Sequence, residues 1–297
     1  MKKDKLIVFF KGMAMGIADL VPGVSGGTIA FITNIYHELI DTIKSFDLNS
    51  INFLLKLNFK SFYDVTNLQF LLPLILGIIT SIVFFVSFIS NAFEYFPIHI
   101  FSLFFGLVIF SSISIIKSLI SKNSILKLDS YLYMLFGIIL GIIISMLNPL
   151  SVSNNLISTF FSGMIAICAM ILPGISGSYI LLILGKYFYI IEALKTLNVL
   201  IISIFGAGAL IGILSFSRII SWLLKKHYKP SMFFLSGLML GSINKIWPWK
   251  IENKNFSPFH YSEVLDESNY FIESIIIFLM AGFIIFMFDK RKSEIND

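Results

Sequence analysis

Two short stretches of this chain carry proline, glycine and hydroxyl residues in the same order. The first is Val21-Pro22-Gly23-Val24-Ser25-Gly26-Gly27-Thr28, and the second is Leu172-Pro173-Gly174-Ile175-Ser176-Gly177-Ser178. Proline removes a backbone donor, and glycine permits turns and close approach of another group. Each stretch interrupts an apolar segment, so each predicts a helix that breaks and restarts near Ser25 or Ser176. A restarting helix offers free N–H groups and partial positive charge, which suits an anion. Ser25, Thr28, Ser176 and Ser178 add hydroxyl donors, while Gly26, Gly27 and Gly177 leave the backbone bare. The chemistry this predicts is anion binding between two tips. The plainer alternative is that the hydroxyls cap helices and the glycines pack them.

Ionisable residues inside apolar sequence are costly in a membrane and often functional. Asp19 sits just before the first break, and its counterpart in the second stretch is Met170. Asp19 is a candidate for coupling to a proton or sodium ion; it could equally pair with a cation or cap a helix. Arg218 lies in a later apolar segment. A guanidinium matches phosphate as a planar fork, and the competing reading is a side chain reaching for the interface. Lys11 and Lys245 read as interfacial. The four histidines, His37, His99, His227 and His260, are scattered, and Cys168 is the lone cysteine. These residues give no catalytic set, no metal site and no cofactor site.

The elements that must hold these residues are apolar helices. Of 297 residues, 57% are hydrophobic and 13% charged, and the mean hydropathy is +0.90. Soluble domains carry about 25% charged residues. Six segments read as full crossings, at 68–91, 97–120, 131–147, 197–224, 231–247 and 269–288. Each is close to the roughly 20 residues that cross a hydrocarbon core. Two further segments, 5–45 and 155–195, are the broken ones. The fold class expected is an all-α polytopic membrane protein. The opening MKKDKLIVFFKGMAMG loosely resembles a signal peptide, but Lys11 interrupts its apolar run and no small-residue cleavage site precedes the break.

The lysines and arginines orient the chain. If both broken segments enter and leave on one side, fifteen basic residues share a face. They are Lys2, Lys3 and Lys5; Lys44, Lys56 and Lys60; Lys117, Lys122 and Lys127; Lys225, Lys226 and Lys229; and Lys290, Arg291 and Lys292. Only Lys186, Lys195, Lys250 and Lys254 face the other way. The positive-inside rule then places both termini in the cytoplasm. The net charge of +5 is thus loop charge and does not point to nucleic acid.

The two broken segments align at a shift of 151 residues. Gly12 falls on Gly163, Pro22-Gly23 on Pro173-Gly174, Ser25-Gly26 on Ser176-Gly177, Tyr36 on Tyr187, and Asp41 on Glu192. Downstream the shift is 131: Gly77 meets Gly208, Gly106 meets Gly237 and Ser111 meets Ser242. A longer polar loop at 46–66 accounts for the difference. The expected layout is one membrane domain over 1–297 with halves at 5–147 and 155–288. Each half is a re-entrant helical hairpin plus three transmembrane helices. Three is odd, so the second half enters from the opposite face, giving an inverted-topology repeat. The tips of the two hairpins would then meet near the midplane.

The segments Gly16-Ile-Ala-Asp19-Leu-Val-Pro22-Gly-Val-Ser25-Gly-Gly-Thr28 and Ala169-Met-Ile-Leu-Pro173-Gly-Ile-Ser176-Gly-Ser178, with Tyr36 and Tyr187 after them, resemble the paired signatures of a known family. It is the bacterial polyprenyl-phosphate transporter (PopT) family, formerly a domain of unknown function. The likeness runs from Gly12 to about Phe288. Where the family usually has Gly before Ile-Tyr, this chain has Asn34. The resemblance implies an undecaprenyl-phosphate translocase of the bacterial cytoplasmic membrane. Such a protein moves the lipid from the outer to the inner leaflet for reuse in building peptidoglycan and other envelope polymers. The head group would lie between the hairpin tips, with Ser25, Gly26, Gly27, Thr28, Ser176, Gly177, Ser178 and Arg218 as its candidate contacts. The residues alone leave two other readings open: a transporter or channel for a small anion, and a membrane-embedded lipid-phosphate enzyme.

Overall fold

A helix suits apolar sequence in lipid because it satisfies its own backbone donors and acceptors. The protein is described by a computed structural model, in which 83% of the described residues are helical. The described residues are 5–21, 23–120, 128–147, 153–251 and 254–296. Pro22, Lys2, Lys3, Lys122 and Lys127 lie outside the described residues, as do the side chains of Lys290, Arg291 and Lys292.

The chain begins with α1 (Lys5–Leu20), α2 (Gly26–Ile32), α3 (Tyr36–Lys44), α4 (Leu48–Leu55) and α5 (Phe59–Val65). Three long helices follow: α6 (Leu68–Tyr95), α7 (Pro97–Ile120) and α8 (Leu128–Met146). Then come α9 (Leu156–Ile171), α10 (Gly177–Ile183), α11 (Tyr187–Lys195), α12 (Val199–Lys226) and α13 (Tyr228–Gly241). A 3-10 turn at Ser242–Ile246, the strands β1 (Lys250–Ile251) and β2 (Lys254–Asn255), α14 (Pro258–Leu265) and α15 (Phe271–Asn296) complete it. The strands pair antiparallel, Lys250 opposite Asn255. By length and composition, α6, α7, α8 and α12 can each cross a membrane. The protein is therefore a multi-pass, all-α membrane protein.

Several expectations change in detail. The crossing expected at 231–247 is α13 tightened into the 3-10 turn; the two together rise about 31 Å, enough to span. The crossing expected at 269–288 is the apolar part of α15, Phe271–Met287. The segment 46–66 is two helices, not a polar loop, because Asp47 and Asn58 each cap a new helix start. Lys186, counted among the loop charges, is fully buried. Trp249 packs with Ile98 and Tyr261, and Trp247, Ile251, Phe256 and Phe271 close around them.

The chain divides into two compact units, Met1–Val86 with Leu147–Tyr228, and Ser87–Met146 with Lys229–Asp297. Both hairpins belong to the first. There, helix bounds recur at fixed offsets. Helices α1, α2 and α3 begin and end 151 residues before α9, α10 and α11. Helix α6 begins and ends 131 residues before α12.

Packing repeats with the same register. A Cβ on Gly12 would press into Leu74 O of α6, and one on Gly77 into Phe9 O of α1. At the matching positions, a Cβ on Gly163 would meet Phe205 O and one on Gly208 would meet Phe160 O. One turn on, the glycine changes sides. Gly16 faces Ser81 in the first pair, and Gly212 faces Ile167 in the second. Backbones approach this closely only where one partner lacks a side chain.

Candidate functional site

Both breaks are built by the same local chemistry. Leu172 is extended (φ −70°, ψ 129°), as a residue before proline must be. Gly174 takes φ 88°, and Ile175 N–H donates to Leu172 O at 3.3 Å. Proline second and a left-handed glycine third make this a type II turn. In the first break Gly23 takes φ 87°, and Val24 N–H donates to Val21 O at 3.2 Å. The exits match too. Asn34 (φ 58°) and Gly185 (φ 64°) close α2 and α10 with the same backbone bond, Ile35 N–H to Ala30 O at 3.0 Å and Lys186 N–H to Leu181 O at 2.8 Å. Asparagine tolerates this left-handed position, so the departure at Asn34 leaves the turn intact.

The tips touch each other. Gly174 N–H donates to Thr28 Oγ1 at 2.9 Å. A Cβ on Gly27 would lie 2.7 Å from the carbonyl oxygens of Met170 and Ile171, so only glycine fits there. Thr28 Oγ1 is also 3.1 Å from Ser25 Oγ, which accepts from Thr28 N–H at 3.3 Å. Ser25 and Thr28 are buried.

The two helix starts differ in charge and capping. Asp19 Oδ1 accepts the Gly26 N–H at 2.6 Å, so the chain supplies its own anion at the start of α2. Ser25 caps α2 as well. Met170 stands in the place of Asp19, and Ser176 makes no side-chain cap bond to α10. The Ser176 hydroxyl instead pairs with that of Ser178 at 2.8 Å. Ser178 is exposed, whereas Gly27 at the matching position is buried. A Cβ on Gly177 would sit 2.9 Å from Ala166 O, so this glycine packs α10 on α9.

Arg218 bonds elsewhere. Its Nη1 donates to Leu214 O at 2.7 Å and its Nη2 to Phe46 O at 3.4 Å, with the side chain exposed. Beside it, Asp41 of α3 accepts from Ser221 Oγ at 2.6 Å and pairs with Lys225 Nζ at 2.9 Å, joining α3 to α12. Sequence reasoning matched Asp41 to Glu192 but gave Asp41 no partner, because Ser221 and Lys225 lie far along the chain. It also missed Lys186. That ammonium donates to Ser153 O at 2.7 Å and Asn154 Oδ1 at 3.1 Å, and lies 5.0 Å from the Tyr189 ring centre. Lys186 thereby ties the α10–α11 joint to the approach to α9. Lys11 does the corresponding work in the first hairpin, donating to Thr33 O at 2.8 Å. The Tyr36 hydroxyl is buried without a hydrogen-bond partner among the described residues.

Residues 15–264 match a family model described as undecaprenyl phosphate translocase-like. A polyprenyl-phosphate transporter of Vibrio cholerae serotype O1 is 38% identical, covering 97% of this chain and 97% of its own. A polyprenyl-phosphate transporter of Staphylococcus aureus is 31% identical, covering 84% of this chain and 88% of its own. No solved structure matches.

Proposed function

The chain belongs to the undecaprenyl phosphate translocase-like family, and from that premise we propose that it returns undecaprenyl phosphate from the outer to the inner leaflet of the bacterial cytoplasmic membrane. The observation that carries this reading is the meeting of two like hairpin tips at Thr28 and Gly174, in a chain whose relatives are named for polyprenyl phosphate. The common offsets of the helix bounds support two halves of one inverted repeat. In that layout the hairpins enter from opposite faces and both termini are cytoplasmic. The lipid's phosphate lies at the tips, and its apolar tail stays in the bilayer through a lateral opening. The protein works as a transporter, not an enzyme, and the names of both relatives support that.

The unequal tips assign unequal work. The Ser176 and Ser178 hydroxyls face no carboxylate of their own, since Met170 replaces the aspartate. They receive the phosphate first, with Gly177 beside them. At Ser25, Gly26, Gly27 and Thr28 the phosphate must compete with Asp19 for the Gly26 N–H. Protonating Asp19 removes a like charge and weakens that bond, because hydrogen bonds to ionised groups are the stronger ones. A proton taken up there enters with the lipid. A sodium ion paired with the carboxylate would have the same effect. Arg218, on α12, supplies the cation when it leaves Phe46 O.

The test compares variants that fold at parental levels. Ser176→Ala removes a hydroxyl that caps no helix, so weaker binding without lost stability marks a ligand contact. Ser25→Ala also removes a cap, worth about 1 kcal/mol of stability. Arg218→Ala should weaken polyprenyl-phosphate binding about tenfold to a hundredfold, the loss of a charge-assisted bond worth roughly 1.5–3 kcal/mol, and Arg218→Lys should restore part of it. If Ser176→Ala and Arg218→Ala both bind and move the lipid like the parent, the phosphate does not sit at these residues. Excess inorganic phosphate should displace little bound lipid; displacement at parity would favour a small-anion transporter.

A further inference from the structure

Among the described residues of the first unit, α4–α5 has no helical counterpart at either offset. The offset falls from 151 to 131 across it, and α11 passes to α12 through a short link with no added helix. Its ends are held at the base. Arg218 Nη2 donates to Phe46 O at 3.4 Å on one side, and Asn67 Nδ2 donates to Thr42 Oγ1 at 3.1 Å on the other. Between those anchors the two helices pack on each other, and the Phe46 ring, just before α4, meets the Phe62 ring of α5 edge-on.

Large apolar side chains are exposed along this element, beside the exposed Asn49, Asn52, Asn58 and Asp64. Leu48 is 80% exposed, Leu55 76%, Leu57 74% and Phe59 63%. Leu57 is the residue that turns α4 into α5, at φ 54°. Glycine fits that left-handed backbone without strain, and a leucine there is strained. Placing a strained leucine at an exposed tip in water would add a second penalty, since its apolar side chain gains nothing by burial there. Lys56 and Lys60 flank the tip and are exposed. Two residues past α5 the membrane-crossing α6 begins, with Leu72 and Leu76 exposed on its outer surface. The tip is therefore joined to the lipid-facing surface of α6 at the end of that crossing.

We propose that α4–α5 is an interfacial lipid-binding element: Leu48, Leu55, Leu57 and Phe59 enter the acyl boundary of one leaflet while Lys56 and Lys60 engage anionic lipid head groups. Apolar side chains flanked by lysines are the pattern of helices that lie in the membrane interface, and lysine stems can bury along lipid with the ammonium at the surface. The element occurs in one half only, so it marks one face of the protein. It rests on the multi-pass membrane assignment and not on the head-group site.

The full chain, with Cys168→Ala, is placed in vesicles of phosphatidylcholine alone or mixed with phosphatidylglycerol. An environment-sensitive fluorophore is attached at Leu57→Cys or Phe59→Cys. A nitroxide on the lipid chain near the head group should quench both labels strongly, and aqueous iodide weakly. The quenching should deepen with phosphatidylglycerol, and Lys56→Glu with Lys60→Glu should abolish that deepening. Strong iodide quenching with none from the nitroxide overturns the proposal and leaves this face for water or a protein partner. Nitroxide quenching that ignores phosphatidylglycerol and the lysine variants overturns the anionic-lipid half of it.

Discussion

Gly174 gives its backbone N–H to the Thr28 hydroxyl at 2.9 Å, across 146 residues of chain, and so fastens one hairpin tip to the other. The bond is made where Gly27 already lies against the carbonyls of Met170 and Ile171. A side chain on one tip and the backbone of the other thus share one small, partly buried space.

Thr28→Val keeps the shape and removes the acceptor. A buried N–H without a partner costs about 1–3 kcal/mol. Thr28→Val should lower the thermal midpoint in detergent and impair lipid transport, while Thr28→Ser should keep both near the parent. Equal midpoints for the valine and serine variants would show that the Gly174 N–H finds another partner.

Asp19 holds the Gly26 N–H at 2.6 Å, and Met170 has no means to do the same for Gly177. Asp19→Asn should abolish the dependence of transport on pH or sodium while leaving part of the lipid binding. Reconstituted protein with imposed gradients gives the reading. Transport that keeps its parental ion dependence in Asp19→Asn would return this residue to capping α2.

Orientation is open to chemical labelling. Single cysteines at 253 and 123, in a Cys168→Ala background, can be probed on intact cells with an impermeant thiol reagent. Position 253 should react and position 123 should not. The opposite pattern would invert the chain and end the two-hairpin layout proposed from its charges.

Lys250, in β1, lies outside the crossings, and its ammonium donates to Lys245 O. Burial, and then the neighbouring Lys245, push its pKa down from 10.5 to about 8. A lysine whose pKa falls on folding disfavours the folded state while it is charged. The penalty is complete below about 8 and is lifted as pH rises towards the unfolded value. Thermal midpoints should rise over that window more in the parent than in Lys250→Met. Parallel curves would mean that Lys250 is solvated well enough to titrate normally.

The residues by themselves determined the breaks, the apolar helices and the register between them. Those features are local: proline dictates the backbone before it, glycine or asparagine accepts a left-handed turn, and an apolar run in lipid must wind into a helix. This is why the turns at Gly23 and Gly174 could be placed from the residues alone, whereas the left-handed exits at Asn34 and Gly185 came from the structure. The tertiary structure decided which groups meet. It paired Asp19 with Gly26, Thr28 with Gly174, and Asp41 with Ser221 and Lys225. It turned Arg218 towards Phe46, buried Lys186 against Ser153, and made two helices of the segment read as a polar loop. Hydrogen-bond partners and burial depend on groups brought from distant parts of the chain, and no local pattern of residue types encodes the distance between them.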